Sequence, residues 1–157
     1  MTSLHPADWN PDTARAIVDA HAGLDGPLLP ILRAIQAAFG CVPKAAIPFL
    51  AQALNLTRAE VHGAVSFYHD FRDAPAGRRL VRLCRAEACQ AMGGEARAAG
   101  LLARLRLAWG ETTADGAVTV EPVYCLGLCA VAPAALVDGE PLGRLDARRL
   151  AAALGAA

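Results

Sequence analysis

Neither sign of charge prevails in this chain: 15 Lys and Arg face 15 Asp and Glu across 157 residues. Without a positive excess it lacks the phosphate-neutralising term that drives nucleic-acid binding. Long apolar runs are also missing. The longest, Cys125 to Val137, is interrupted by Gly127 and Pro133 and falls short of the roughly 20 residues that cross a bilayer, so no membrane insertion is expected. Met1-Thr2-Ser3-Leu4-His5-Pro6 has neither the basic start nor the apolar core of a secretory leader. No internal repeat or low-complexity tail is visible. These absences point to the cytoplasm, where clustered cysteines hold metals more often than they form disulfides.

What is present is apolar residues, 55% of the chain, arranged in two textures. Up to about Tyr68 the pattern is helical. Asn10-Pro11-Asp12 reads as a cap and early-turn proline opening a helix that ends near Gly23. Pro27 starts a second helix, with Leu28, Ile31, Leu32 and Ile35 at helical spacing and Gly40 as its stop. A third is expected from Lys44 to Leu54. Thr57-Arg58-Ala59-Glu60 is a capping-box sequence that begins a fourth, Ala59 to about Tyr68. Together these predict a small helical bundle over residues 1–74.

Asp73-Ala74-Pro75-Ala76-Gly77 reads as a linker. Beyond it, Arg79 to Cys84 alternates polar and apolar residues like a strand. Gln90 to Ala108 predicts a helix weakened by Gly93-Gly94. Further strands are expected at Ala117–Glu121, Ala134–Val137 and Leu142–Leu145, with Asp138-Gly139 a hairpin signal. Asp146 would cap a terminal helix containing Leu150. The class is α+β: a helical bundle, then a small sheet flanked by helices over residues 75–157.

Four of the five cysteines form two tight pairs, Cys84 with Cys89 and Cys125 with Cys129. Cys84 falls at a predicted strand end and Cys89 at or just before a helix start. Free backbone N–H groups there would face the anionic sulfur. In the second loop Gly127 permits a positive φ and close backbone approach. Four thiolates arriving as two loops suit an iron–sulfur or a tetrahedral zinc site. Zinc pairs usually enclose two residues in tight knuckles, and these enclose four and three. Plant-type ferredoxins place three cysteines in one loop, and a Rieske centre needs histidine in each loop; neither pattern is present. A 2Fe–2S cluster is favoured, with zinc left open. Arg78, Arg79, Arg82 and Arg85 are candidates to offset its negative charge, or are simply a solvated face.

The run Cys84-Arg85-Ala86-Glu87-Ala88-Cys89-Gln90-Ala91-Met92-Gly93, then Thr113-Ala114-Asp115-Gly116 and Cys125-Leu126-Gly127-Leu128-Cys129-Ala130-Val131-Ala132-Pro133, resembles the thioredoxin-like 2Fe–2S ferredoxins. That family includes the small iron–sulfur subunit of complex I. Leu29-Pro30-Ile31-Leu32, Gln36, Phe39-Gly40, Ile47-Pro48 and the run from Val61 to Tyr68 are similar to its N-terminal bundle. The resemblance implies a thioredoxin-like fold for the second half, one cluster, and Cys84, Cys89, Cys125 and Cys129 as its ligands. Within the family, Cys84 to Gly93 looks most like the gamma subunit of NAD-dependent formate dehydrogenases. That branch implies an NAD-binding beta subunit carrying FMN and iron–sulfur clusters. It also implies a formate-oxidising alpha subunit with a molybdenum or tungsten cofactor. The equivalent subunit of complex I or of an NAD-linked hydrogenase is the alternative. In every case this chain would transfer electrons beside the flavin and turn over no substrate itself.

Other residues carry less. Cys41 stands where the family often has an aromatic residue and reads as a buried apolar filler. His62 and His69 have no adjacent ligand pattern; His5 and His21 read as surface residues. The aromatics of Phe67-Tyr68-His69-Asp70-Phe71 suit a partner contact or an interdomain core. Ile47 to Tyr68 resembles a helix-turn-helix, which would make a DNA-binding metal sensor, but its second helix offers only Arg58 as a base. A zinc-stapled adaptor is the remaining alternative.

Overall fold

A computed structural model of the chain describes residues 8–155; the leader reading and His5 lie outside them. The described chain falls into two compact units, Met1–Pro75 and Ala76–Ala157.

The first unit is built from four helices: α1 (Pro11–Ala20), α2 (Leu28–Phe39), α3 (Ala46–Ala53) and α4 (Arg58–Phe67). Local chemistry sets their ends. Asn10 Oδ1 accepts from the backbone N–H of Asp12 and Thr13 at 2.8 and 3.0 Å, satisfying two donors with no partner inside the helix. Gly40 ends α2 in the left-handed region at φ 76°. Thr57 and Glu60 exchange the two hydrogen bonds of a capping box, Thr57 N–H to Glu60 Oε2 at 2.7 Å and Glu60 N–H to Thr57 Oγ1 at 3.2 Å. Ile31, Leu32, Ile35 and Phe39 line one face of α2 and meet Ala14, Val18, Ala46, Leu50 and Val61 in a single core. Each large side chain so buried contributes about 1.5–3 kcal/mol. The Gln36 amide spans to the segment after α4, donating to Asp70 O at 2.8 Å and accepting from Arg72 N–H at 2.7 Å. The ordered part of this unit therefore runs past the last helix. Helix α3 starts two residues later than the sequence suggests, because residues 44 and 45 form a turn in which Ala46 N–H bonds to Pro43 O.

The second unit holds β1 (Arg79–Cys84), α5 (Glu87–Ala91), α6 (Gly94–Leu105), β2 (Val118–Val123), β3 (Ala135–Val137), β4 (Glu140–Leu142) and α7 (Ala147–Leu154). The sheet order is β2-β1-β3-β4. Strands β1 and β2 are parallel, in register from Arg79 opposite Val118 to Cys84 opposite Val123; β3 and β4 are antiparallel to their neighbours. Alternation along β1 sends Val81 and Leu83 into a core with Val118, Val120, Ala135, Val137, Ala98 and Leu101 of α6, and Leu150 of α7.

Three expectations shift here. The single helix over 90–108 is two, because Gly93 sits at φ 78° and reverses the chain between α5 and α6. Strand β2 extends to Val123 through Pro122, tolerated since β2 is at the sheet edge and the missing N–H lies at its end. Strand β4 is at 140–142 rather than 142–145. Asp138 and Gly139 both take positive φ, 53° and 87°, so this two-residue turn places Glu140 opposite Val137. Asp146 caps α7 as read from the sequence, accepting from Arg149 N–H at 2.7 Å.

Candidate metal centre

Parallel pairing of β1 and β2 sends both strands out of the sheet at the same end. Cys84 is the last residue of β1 and opposes Val123, two residues before Cys125. Arg85 N–H extends the ladder to Val123 O at 2.8 Å, and Cys84 N–H is held by Ala134 O at 3.0 Å. The loops carrying the two cysteine pairs thus rise from adjacent strand ends, with the segment before β3 closing the third side.

Cys84 and Cys89 are buried, at 7% and 2% exposure, beside Ala134 and against Ala86, Val123, Leu126, Leu128 and Ala132. Cys125 and Cys129 are exposed, with Sγ atoms 3.9 Å apart. Cys89 lies inside α5 rather than before its start, and it is the Ala86 N–H at the cap that reaches the Cys84 sulfur. Cys125 has φ 73° and Gly127 φ 74°. This pair of left-handed residues curls the loop so that Gly127 N–H points at Cys125 Sγ, 3.4 Å away. For a non-glycine residue that conformation costs about 1–3 kcal/mol and is held only where surrounding contacts impose it. The sequence flagged Gly127; nothing in it flagged Cys125.

The four thiols share one electrostatic environment. Burial opposes ionisation of Cys84, but hydrogen bonds from Ala86 N–H, the Cys89 thiol, and the N–H groups of Cys125 and Leu126 outweigh it and lower its pKa. Cys89 is pushed up, first by burial and then by its hydrogen bond with Cys84, against the pull of Ala134 N–H. The Cys129 thiol is raised chiefly by its hydrogen bond with Cys125 and by that neighbour's charge. Cys84 also acts electrostatically on Cys129, and Cys129 on Cys89, which links the two pairs. Among the described residues no three or more His, Cys, Asp or Glu side chains gather about one point in the manner of a single-ion site. A four-cysteine diiron core takes two thiolates on each iron and is tuned by N–H groups aimed at sulfur, so the donor set suits it.

Three of the four arginines are held in ion pairs away from the sulfurs' own hydrogen bonds. Arg79 pairs with Asp138 at 3.0 Å, Arg82 with Glu121 at 3.2 Å across β1 and β2, and Arg85 with Glu95 at 3.3 Å while lying over the Trp109 ring. Arg78 donates to Asp115 O at 3.1 Å. Next to the cysteines, Tyr124 and Met92 are 70% and 59% exposed; sequence reasoning passed over both. Cys41 belongs to the buried core of the helical unit, its thiol raised by burial and by Asp73. His21 is half-buried with Nδ1 2.7 Å from Ile17 O, not a free surface residue. No helix among the described residues is long and apolar enough to cross a membrane.

Comparisons with known proteins show the family. The sequence pattern of the thioredoxin-like 2Fe-2S ferredoxin family matches residues 14–157. An NADH-quinone oxidoreductase subunit of Pseudomonas aeruginosa is 36% identical over 112 residues, 71% of this chain and 68% of that protein. The protein of the same name from Mycobacterium tuberculosis is 34% identical over 142 residues, 86% of this chain and 56% of its own length. Among solved structures, a crystal structure of an NAD+-reducing NiFe-hydrogenase superposes with a TM-score of 0.63 at 29% identity, covering 92% of this chain and 22% of the hydrogenase chain. The present chain therefore spans between about a fifth and two thirds of the length of these relatives.

Proposed function

This chain belongs to the thioredoxin-like 2Fe-2S ferredoxin family, and from that premise we propose that it is the electron-transfer subunit of an NAD(H)-linked oxidoreductase complex. In this reading Cys84, Cys89, Cys125 and Cys129 hold one 2Fe–2S cluster. The observation that carries it is the delivery of two thiol pairs from adjacent parallel strand ends, Cys84 with Cys89 and Cys125 with Cys129. When bound, the cluster supplies one-electron transfer, the complement of a flavin that accepts hydride as an electron pair. This chain's residues provide the rest. The small apolar cluster around Cys84 and Cys89 keeps water from the inner pair. The N–H groups of Ala86 and Leu126 face the Cys84 sulfur and that of Ala134 faces Cys89, each favouring the ionised form, and Gly127 N–H lies against Cys125 Sγ. The exposed pair, Cys125 and Cys129, leaves one edge of the site open to a redox partner.

The relatives bear complex I and hydrogenase names, which favours a complex I type small subunit or its hydrogenase counterpart over a formate dehydrogenase. The formate reading rests on the run from Cys84 to Gly93 and is the second choice. On it, the complex would add an alpha subunit with a molybdenum or tungsten cofactor. On either, the partner is an NAD-binding subunit with FMN and iron–sulfur clusters, in the cytoplasm. The helical unit is its docking surface, supported by Phe67, 73% exposed and edge to face with Tyr68.

Anaerobic purification with iron, sulfide and zinc analysis, and EPR of the dithionite-reduced chain, tests the cluster. Two irons and two sulfides per chain with a reduced-state signal are expected; stoichiometric zinc in a colourless protein would refute it. Assay of the co-purified complex with NADH and quinone, hydrogen or formate then selects the branch.

A further inference from the structure

Two glycines stand directly behind the cysteine loops. Gly94, the first residue of α6, is buried, and a Cβ built on it would lie 2.6 Å from Cys89 O and 3.6 Å from Cys89 Cβ. Gly143, just after β4, would place its Cβ 2.5 Å from Val131 Cγ2 and 3.1 Å from Val131 O. Val131 closes the single helical turn Cys129–Val131. That turn is also held by the N–H of Arg144 on Val131 O, and the following segment by Leu145 N–H on Pro133 O at 2.8 Å. Neither glycine has positive φ, so their role is not conformational freedom. Each is needed because the volume a methyl group would take is already occupied, by the Cys89 backbone at Gly94 and chiefly by the Val131 side chain at Gly143.

We infer that Gly94 and Gly143 are positioning residues for the cluster, each fixing one sulfur of a different pair. Gly94 seats Cys89 from behind, and Gly143 seats the turn that begins at Cys129. A side chain at either place moves the cysteine because the opposing atoms cannot swing aside. At Gly94 they are backbone, and at Gly143 they are a β-branched side chain stiff about χ1. In a close-packed interior the displacement passes to the neighbouring segment. The inference rests on the cluster reading above and deepens it.

The test uses the full chain reconstituted anaerobically with ferrous iron and sulfide, as wild type, Gly94→Ala, Gly143→Ala and a control, Gly100→Ala. The control glycine is exposed on α6, with nothing within 4 Å of its Cβ. Both test variants should release iron to a chelator on the order of 10–100-fold faster than wild type, the range seen when residues supporting metal ligands are changed. They should also shift the EPR g values, while the control matches wild type. Adding Val131→Ala to Gly143→Ala removes the nearest contact and should recover part of the retention. If Gly143→Ala alone does not fold, Gly94→Ala decides: a shifted signal supports the inference and a wild-type signal overturns it. Wild-type g values and release rates in both single variants would likewise overturn it, even if their metal-free thermal midpoints fall. A wild-type chain that takes up no diiron cluster defeats the functional reading itself, and this inference with it.

Discussion

The helical unit and the sheet unit bury cores of similar chemistry but organise them over different distances along the chain. In the first, three of the four helices are stopped or started by residues within four positions of their ends: Asn10, Gly40, and the Thr57–Glu60 box. Its core residues repeat at helical spacing inside each segment. In the second, Cys84 meets the Cys125 loop only because two strands some 40 residues apart in sequence are in parallel register. The α5–α6 segment is the crossover connection that parallel pairing requires. Helix ends in the first unit are local decisions. The site in the second is a consequence of topology, which makes it sensitive to packing changes that the first unit would absorb as a simple loss of stability.

The sharpest way to break this contrast is at the sulfurs. Cys84→Ser and Cys129→Ser should each lose or distort the cluster, read as iron per chain and EPR, while far-UV circular dichroism keeps its helical content. Normal iron content in both would remove the ligand assignment. Next in size are two matched core truncations. Leu101→Ala, on α6 against the sheet, should cost about 2–5 kcal/mol, and Phe39→Ala, in the helical core, about 3–5 kcal/mol. Denaturant unfolding of the loaded chain distinguishes them. Leu101→Ala should also weaken cluster retention, whereas Phe39→Ala should leave the EPR signal unchanged; the reverse pattern would undo the division drawn here.

Smaller effects probe the local half alone. Asn10→Ala removes the acceptor for two N–H groups and should lower stability by about 1 kcal/mol, with no effect on the cluster spectrum. The smallest is acid sensitivity of α4. Hydrogen bonds from the Thr57 N–H and hydroxyl hold the Glu60 carboxyl below its ordinary value. The folded pKa is thus lower than the unfolded one. The stabilisation is present above the usual carboxylate range and is lost as pH falls through the lowered folded value. A thermal midpoint followed from pH 6 to pH 3 should fall less in Glu60→Gln than in wild type, and equal slopes would discard the effect.

Legibility in the sequence follows the same division. The caps of α1, α4 and α7, the stop at Gly40 and the Asp138-Gly139 hairpin are readable because each is a contest between a few neighbouring residues. Errors cluster where the deciding partner is remote. Helical spacing continues past Gly93, so the sequence suggests one helix over 90–108, and only the return of α6 onto the sheet requires the break. Strand β2 looks complete at Glu121 because Pro122 discourages a strand wherever its N–H would be needed. The four cysteines are legible as a set from spacing and resemblance. The division of that set into a buried and an exposed pair is not.

From its amino acids alone this chain determined the caps of α1, α4 and α7, the stop of α2, an alternating strand and two cysteine loops, since those depend on φ preferences and side chains within one or two turns. The tertiary structure decided which strand ends lie side by side, and so which sulfurs meet. It also decided that Cys125 takes a left-handed conformation and that Gly94 and Gly143 press against the cysteine loops. Those outcomes depend on excluded volume and hydrogen bonding between distant segments, which no local preference encodes.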